Sequence, residues 1–217
     1  MGGVLYIIKN RVEIKQIAKD AFYRNYWLCV GVNVVVSILI GVVSSITFGI
    51  GALILTPSLL IGLNVFSLAL YNGGEASFDT VFSQGFDNFG RKLGGFLWMM
   101  LFSYLWSLLF VIPGIVKSFS YALTPYILGD CKNVRAQDAL KLSMRMMKGH
   151  KGELFVLCLS FLGWQLLSGL TFGLLHIFYV GPYMNNTFAG YYAERKAAAL
   201  AEGVVTEAEL SGETPIA

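Results

Sequence analysis

Three observations predict an all-helical membrane protein whose six transmembrane helices form three hairpins. Apolar residues make up 56% of the 217 positions and charged residues only 13%, with a mean hydropathy of +0.64. A soluble domain would carry about 25% charged residues. Uncharged runs of spanning length recur along the chain; a spanning helix needs roughly 20 apolar residues, because about 30 Å is crossed at 1.5 Å per residue. Threaded as six crossings, the chain places fifteen of its sixteen Lys and Arg residues on one side. The positive-inside rule makes that side cytoplasmic, together with both termini.

Residues 1–25 read as a cytoplasmic amphipathic segment. Ile14, Ile17, Ala18, Ala21 and Phe22 share one helical face, and Lys15, Lys19 and Arg24 oppose it. The membrane domain follows over 26–193. Its first two spans, about 27–48 and 51–71, are joined at "TFGIG" (47–51). The stretch "SFDTVFSQGFDNFGRK" then returns to the cytoplasmic side, with phenylalanines and few cations.

The next run, 94–129, would be about 54 Å long as one helix, far beyond the bilayer core. Proline lacks a backbone N–H and glycine accepts positive φ, so Pro113-Gly114 is expected to turn the chain. The split yields spans of about 94–112 and 115–129. A single crossing would put the six cations of 130–152 outside, against the charge rule. Lys117, in the short fourth span, either snorkels to the outer surface or faces a cavity.

In "VRAQDALKLSMRMMKGHK", Ala136, Ala139, Leu140, Ser143, Met146 and Met147 form one face of a second amphipathic helix, about 134–149. Asn133 is the expected N-cap and Gly149 the stop. Such a helix should lie in the inner leaflet, where Arg135, Lys141, Arg145, Lys148 and Lys151 would meet anionic headgroups. Spans 153–171 and 173–192 follow, joined at "TFG" (171–173). Residues 194–217 carry five glutamates and no basic residue after Lys196, which predicts an acidic, flexible cytoplasmic tail. Each external turn is followed by a proline (Pro57, Pro125, Pro182) and each hairpin is preceded by a cytoplasmic helical segment. That pattern suggests a threefold internal repeat.

Several polar groups lie inside the spans. Asn33, Asn64, Asn185 and Asn186 sit at a similar depth, roughly 9–12 Å from the cytoplasmic end by helical rise, and Gln165 lies further out. They either hydrogen-bond between helices or, with Tyr121 and Tyr183, line a polar vestibule open to the cytoplasm. Unwound backbone near the three prolines would add carbonyls to such a vestibule. Ser37, Gly41, Ser45 and Gly49 recur every four residues, a small-residue face that lets another helix approach closely, within the chain or between copies.

Catalytic patterns are missing from the sequence: it has no metalloprotease helix, nucleophile elbow, P-loop or dinucleotide glycine fingerprint. His150 and His176 are expected on opposite sides. Cys29, Cys131 and Cys158 lack metal or disulfide spacing. No cofactor, metal or nucleic-acid partner is implied, no cleavable leader is expected, and the spans hold no central carboxylate for a proton relay.

"IPGIVKSFSYALTPYILGD", "KLSMRMMKGHK", "LFVLCLSFLGW", "LTFGL" and "GPYMNNTFAGYYAE" together resemble an uncharacterised bacterial family of integral membrane proteins, domain of unknown function 975. "RVEIKQIAKDAFYRNYW" resembles its opening, so the resemblance runs from about residue 11 to 193. His176 falls where the family pattern expects an apolar or small residue. The resemblance implies a multi-pass protein of the bacterial plasma membrane and supplies no catalytic residue. The expected function is that of a non-enzymatic accessory or scaffold. It would act through lipids, a membrane protein partner or a second copy. The alternative is a small transporter or channel for a lipidic or peptide-like compound.

Overall fold

A computed structural model of the chain describes residues 9–109 and 111–213, the side chains of 109, 111 and 112 excepted. Helix is the only regular structure among the described residues. Helix α1 (Arg11–Arg24) leads into α2 (Tyr26–Ile46), which reverses into α3 (Ile50–Tyr71). A short α4 (Phe78–Phe86) precedes α5 (Phe89–Leu109), α6 (Val111–Tyr121) and α7 (Thr124–Asp130). Then come α8 (Ala136–Met146), α9 (Lys151–Leu159) and α10 (Leu162–Leu170). A π-helical turn (His176–Val180) leads into α11 (Gly181–Ala201), and α12 (Glu207–Ser211) closes the described chain.

Tyr26–Ile46, Ile50–Tyr71 and Lys151–Leu170 are long and apolar enough to cross a membrane. The other long helix pairs are shorter, interrupted or carry charge, as α11 does with Glu194, Arg195 and Lys196.

Two of the reversals are the same turn. Phe48 and Gly49 take positive φ of 51° and 87°, and Phe172 and Gly173 take 52° and 82°. Gly49 N donates to Ser44 O at 2.8 Å, and Gly173 N to Ser168 O at 2.9 Å. The preceding threonine closes each turn: Thr47 Oγ1 accepts from Gly51 N, and Thr171 Oγ1 from Leu175 N. Left-handed backbone costs an L-residue about 1–2 kcal/mol, so a phenylalanine there is held by this bonding. Both rings stand out from the protein, 96% and 98% exposed.

The middle reversal differs from the sequence expectation. Pro113 and Gly114 lie in the first turn of α6, which begins at Val111, so they do not form a turn ahead of it. Proline is tolerated there because the first N–H groups of a helix have no intrahelical partner. Gly114 serves close packing: a Cβ on it would come within 2.6 Å of Ser107 Cα on α5. Lys117 lies over the Trp106 ring at 5.0 Å, so its stem is covered by a neighbouring helix.

The prolines also act differently from one another. Pro57 lies inside an unbroken α3, whereas Pro125 and Pro182 start new helices. Pro57 follows Thr47 by ten residues and Pro182 follows Thr171 by eleven; the π-helical turn absorbs one extra residue in the second case.

The helices pack tightly at one end, here called the base, and separate toward the hairpin tips. At the base, α3 crosses α4 so closely that a Cβ on Gly62 would meet Val81 O. Ala18, Ala21, Phe22, Ala139, Leu142 and Met146 have no exposure, so the apolar faces of α1 and α8 are spent on protein. That departs from the expected inner-leaflet placement of the second amphipathic helix, whose N-cap is Arg135 rather than Asn133. Toward the tips, Ile46, Ile50, Leu108, Leu170 and Phe172 are exposed.

The expectation of a flexible tail is also corrected. Helix α11 continues to Ala201, and the segment after it folds back with Val205 and Leu210 buried. Thr206 caps α12 by accepting from Glu209 N. The two buried apolar side chains and the Arg145–Glu209 ion pair hold the acidic stretch on the fold, which sequence composition could not show.

Candidate functional site

Helix α11 packs along α1 and α3, and its polar side chains form two layers. The outer layer is the amide layer expected from the sequence. Asn33 Nδ2 donates to Cys29 O at 2.8 Å, leaving its Oδ1 to accept from Asn185 Nδ2 at 3.0 Å. Asn186 Nδ2 donates to Pro182 O at 3.0 Å and faces Cys29 Sγ at 3.8 Å, while its Oδ1 is buried without a hydrogen bond. Gln165 Nε2 reaches Met184 Sδ at 3.0 Å. Tyr183 is buried, its ring edge-on to Phe161 at 5.3 Å.

The remaining expected residues lie apart from this pair. Asn64 is half-buried on α3. Tyr121 is buried on α6 and lines a crevice of about 210 Å³ with Trp98 of α5 and Gln137 and Lys141 of α8. Structure therefore joins Asn33 to Asn185 and brings Asn186 to the same α2–α11 seam. It seats Tyr121 among other helices.

The inner layer, at the base, is ionic. Glu194, 3% exposed, accepts from Lys9 at 2.8 Å and from Tyr71 Oη at 3.3 Å. Asp130 Oδ2 accepts from Lys196 at 2.6 Å and from Tyr192 Oη at 2.8 Å. Burial opposes the Lys196 charge, yet the Asp130 carboxylate beside it leaves the ammonium pKa above its ordinary value. Burial pushes the neighbouring Cys131 thiol up to about 11, so it stays protonated and unreactive near neutrality.

Four more cations from this layer cap helix C-termini. Arg91 donates to Leu128 O, Cys131 O and Val134 O, closing α7. Lys92, fully buried, donates to Gln84 O near the end of α4. Arg195 donates to Met146 O at the end of α8. Arg145 donates to Val204 O beyond α11 and pairs with Glu209 at 2.5 Å. The last carbonyls of a helix lack intrahelical donors and carry its negative dipole end, so a cation serves both needs.

Of the five residues expected at anionic lipid, Arg145 is thus held by the C-terminal segment. Arg135 pairs with Asp138 at 2.7 Å, Lys141 and Lys148 are exposed, and Lys151 is half-buried at the start of α9. Arg145 is the one helix-capping cation expected at lipid, because a charge count does not see helix ends.

An all-helical chain with three membrane-length apolar helices and a charged, packed base is a helical membrane protein in class. Residues 108–199 match the family model described as protein of unknown function, DUF975, the family that the sequence resembles. The matched stretch contains the middle hairpin's second half, α8 to α10 and nearly all of α11. No curated protein and no solved structure matches the chain.

Proposed function

We propose that the chain crosses a bacterial plasma membrane six times, with the base and both termini in the cytoplasm. It acts there as a non-enzymatic accessory that associates with lipids, a membrane protein or a second copy. Three helix–hairpin units, led by α1, α4 and α8, make up this design, and the shared turn at Thr47–Gly49 and Thr171–Gly173 supports a common origin for two of them.

One observation carries the reading: large apolar side chains toward the hairpin tips, among them Ile46, Ile50, Leu108, Leu170 and Phe172, stand exposed. Among the described residues, α2 packs on α3, α11 and the π-helical turn, α5 on α3, α6, α7 and α8, and α10 on α9 and the π-helical turn. The small-residue face of α2, with Gly41 open to surrounding space, is left outward. Lipid tails compete weakly with a well-matched helix face, because packing and not apolar transfer drives association in a bilayer.

The test is purification from native membranes in mild detergent, with copurifying proteins counted by mass spectrometry. A stoichiometric partner or a defined homo-oligomer is expected; a monomer carrying neither overturns the association reading. Phosphatase fusions after residues 48, 110 and 172 should be active outside the cell, and those after 87 and 149 inactive. The transporter alternative draws on Asn186, whose buried Oδ1 a passing polar ligand would satisfy. Flux abolished by Asn64→Leu and Asn185→Leu in a still-folded protein would favour it.

A further inference from the structure

Helix α9 lies beside the bundle with an open groove along one flank. The groove encloses about 340 Å³. Ile115, Phe119 and Ala122 line it from the α6 side, Leu154 and Cys158 from α9, and Phe188 from α11. Its lining is almost wholly apolar, and Phe119 bridges it at one point by an edge-on contact with Phe155 at 5.9 Å.

The groove has a direction. Ile115 lies near the hairpin tip, while Tyr126 and Tyr191 lie toward the base, where Tyr191 Oη donates to His150 O at 3.2 Å. From Ile115 to Tyr121 α6 rises about 9 Å, and the groove continues past the turn at 122–123 to Tyr126 of α7. An apolar groove that runs from the tip side toward the base suits one extended lipid chain.

Its base end is positively charged. Lys151 stands one helical turn before Leu154 and Phe155 and two before Cys158, on the flank that faces the groove. Lys148 is exposed just ahead of it. Neither lysine forms an ion pair among the described residues, and the nearby carboxylate, Glu153, is engaged by His150 at 3.0 Å. Glu153 also belongs to the opposite flank of α9, where it lines a different cavity with Lys9 and Arg11.

We propose that this groove is a lipid-binding site, holding one acyl chain of an anionic phospholipid whose phosphate rests at Lys148 and Lys151. Assignment to the inner leaflet rests on the orientation proposed above. The phosphatase fusions test that orientation separately, so the two readings can fail independently. Apolar contact retains the chain, and the two ammonium groups select headgroup charge. Cys158 puts a thiol inside the groove, whereas Cys29 and Cys131 are buried elsewhere.

The probe is a phospholipid carrying a diazirine in mid-chain, with either a phosphoglycerol or a phosphocholine headgroup. Full-length protein in nanodiscs containing each probe is irradiated, and labelled peptides are identified by mass spectrometry. Peptides spanning 115–126 and 154–158 should be labelled above the exposed 162–170 face. The anionic probe should exceed the zwitterionic one by about fivefold, as expected for about 1 kcal/mol from a lysine at an anionic headgroup. Lys148→Ala/Lys151→Ala should erase that headgroup preference, and Ala122→Phe should lower groove labelling by both probes. Groove labelling no higher than that of 162–170 in the wild-type protein, or equal labelling by both headgroups, overturns the proposal. The lysine variant alters only the mouth, so the test stands even where Ala122→Phe fails to fold.

Discussion

Arg145 and Glu209, 64 residues apart in sequence, form an ion pair of 2.5 Å that fastens the C-terminal segment to α8. The same guanidinium donates to Val204 O, so one side chain holds both the end of α11 and the start of the folded tail.

Glu209→Gln should loosen this segment without unfolding the rest. A partly exposed pair is worth about 1 kcal/mol at most, so the detached population should rise by about fivefold. Hydrogen exchange over 203–213 should quicken while α3 and α11 stay protected; unchanged exchange would show that Val205 and Leu210 hold the segment by themselves.

Acidification should act at the same place. The hydrogen bond from Arg145 holds the Glu209 carboxyl below its ordinary value of 4.5, with Thr206 N adding to the effect. A depressed folded value means the contribution is complete above about pH 4.5 and disappears as pH falls through the folded value. Protease sensitivity of the tail should therefore increase below that range in wild type and show no such step in Glu209→Gln.

Lys92→Met keeps the buried stem and removes the charge that caps α4. Loss of a charge-assisted bond to a buried carbonyl costs about 1–3 kcal/mol. Thermal midpoint in detergent should drop, and exchange at residues 83–87 should rise first. A variant as stable as wild type would mean that burying the ammonium costs as much as its bond returns.

Asn33 and Asn185 should prove coupled. Each leucine variant alone should destabilise, and the double-mutant cycle should show an interaction of about 0.6–1.7 kcal/mol, the range found between membrane helices. Additive effects would mean that the 3.0 Å bond contributes no net coupling.

Gly114→Val should disrupt the α5–α6 hairpin, because the new side chain meets Ser107 backbone. Gly169→Val should be tolerated, since nothing lies within 4 Å of a Cβ there. Comparable expression and melting of the two variants would argue against close packing of α5 on α6.

Much of the architecture was readable from one-dimensional patterns. Uninterrupted apolar length located α2, α3 and the α9–α10 run, and the 3.6-residue period found the buried faces of α1 and α8, including Ile14, Ala18, Phe22, Ala139 and Met146. "TFG" marked two reversals because a glycine at positive φ leaves a local signature. Pro113-Gly114 misled by a few residues: the same pair that suits a turn also suits a helix's first turn and a close helix crossing, and only the neighbour at Ser107 distinguishes them.

Composition and periodicity by themselves determined a helical membrane protein, because bilayer thickness and helical rise convert directly into run lengths. The partner of each charge was decided only in three dimensions. Arg91, Lys92, Arg145 and Arg195 are identical in sequence terms to cations that would face lipid, yet each ends at a carbonyl outside its own helix. Burial strengthens such charge–dipole contacts and penalises their absence, and which carbonyl each cation meets is set by how the helices cross.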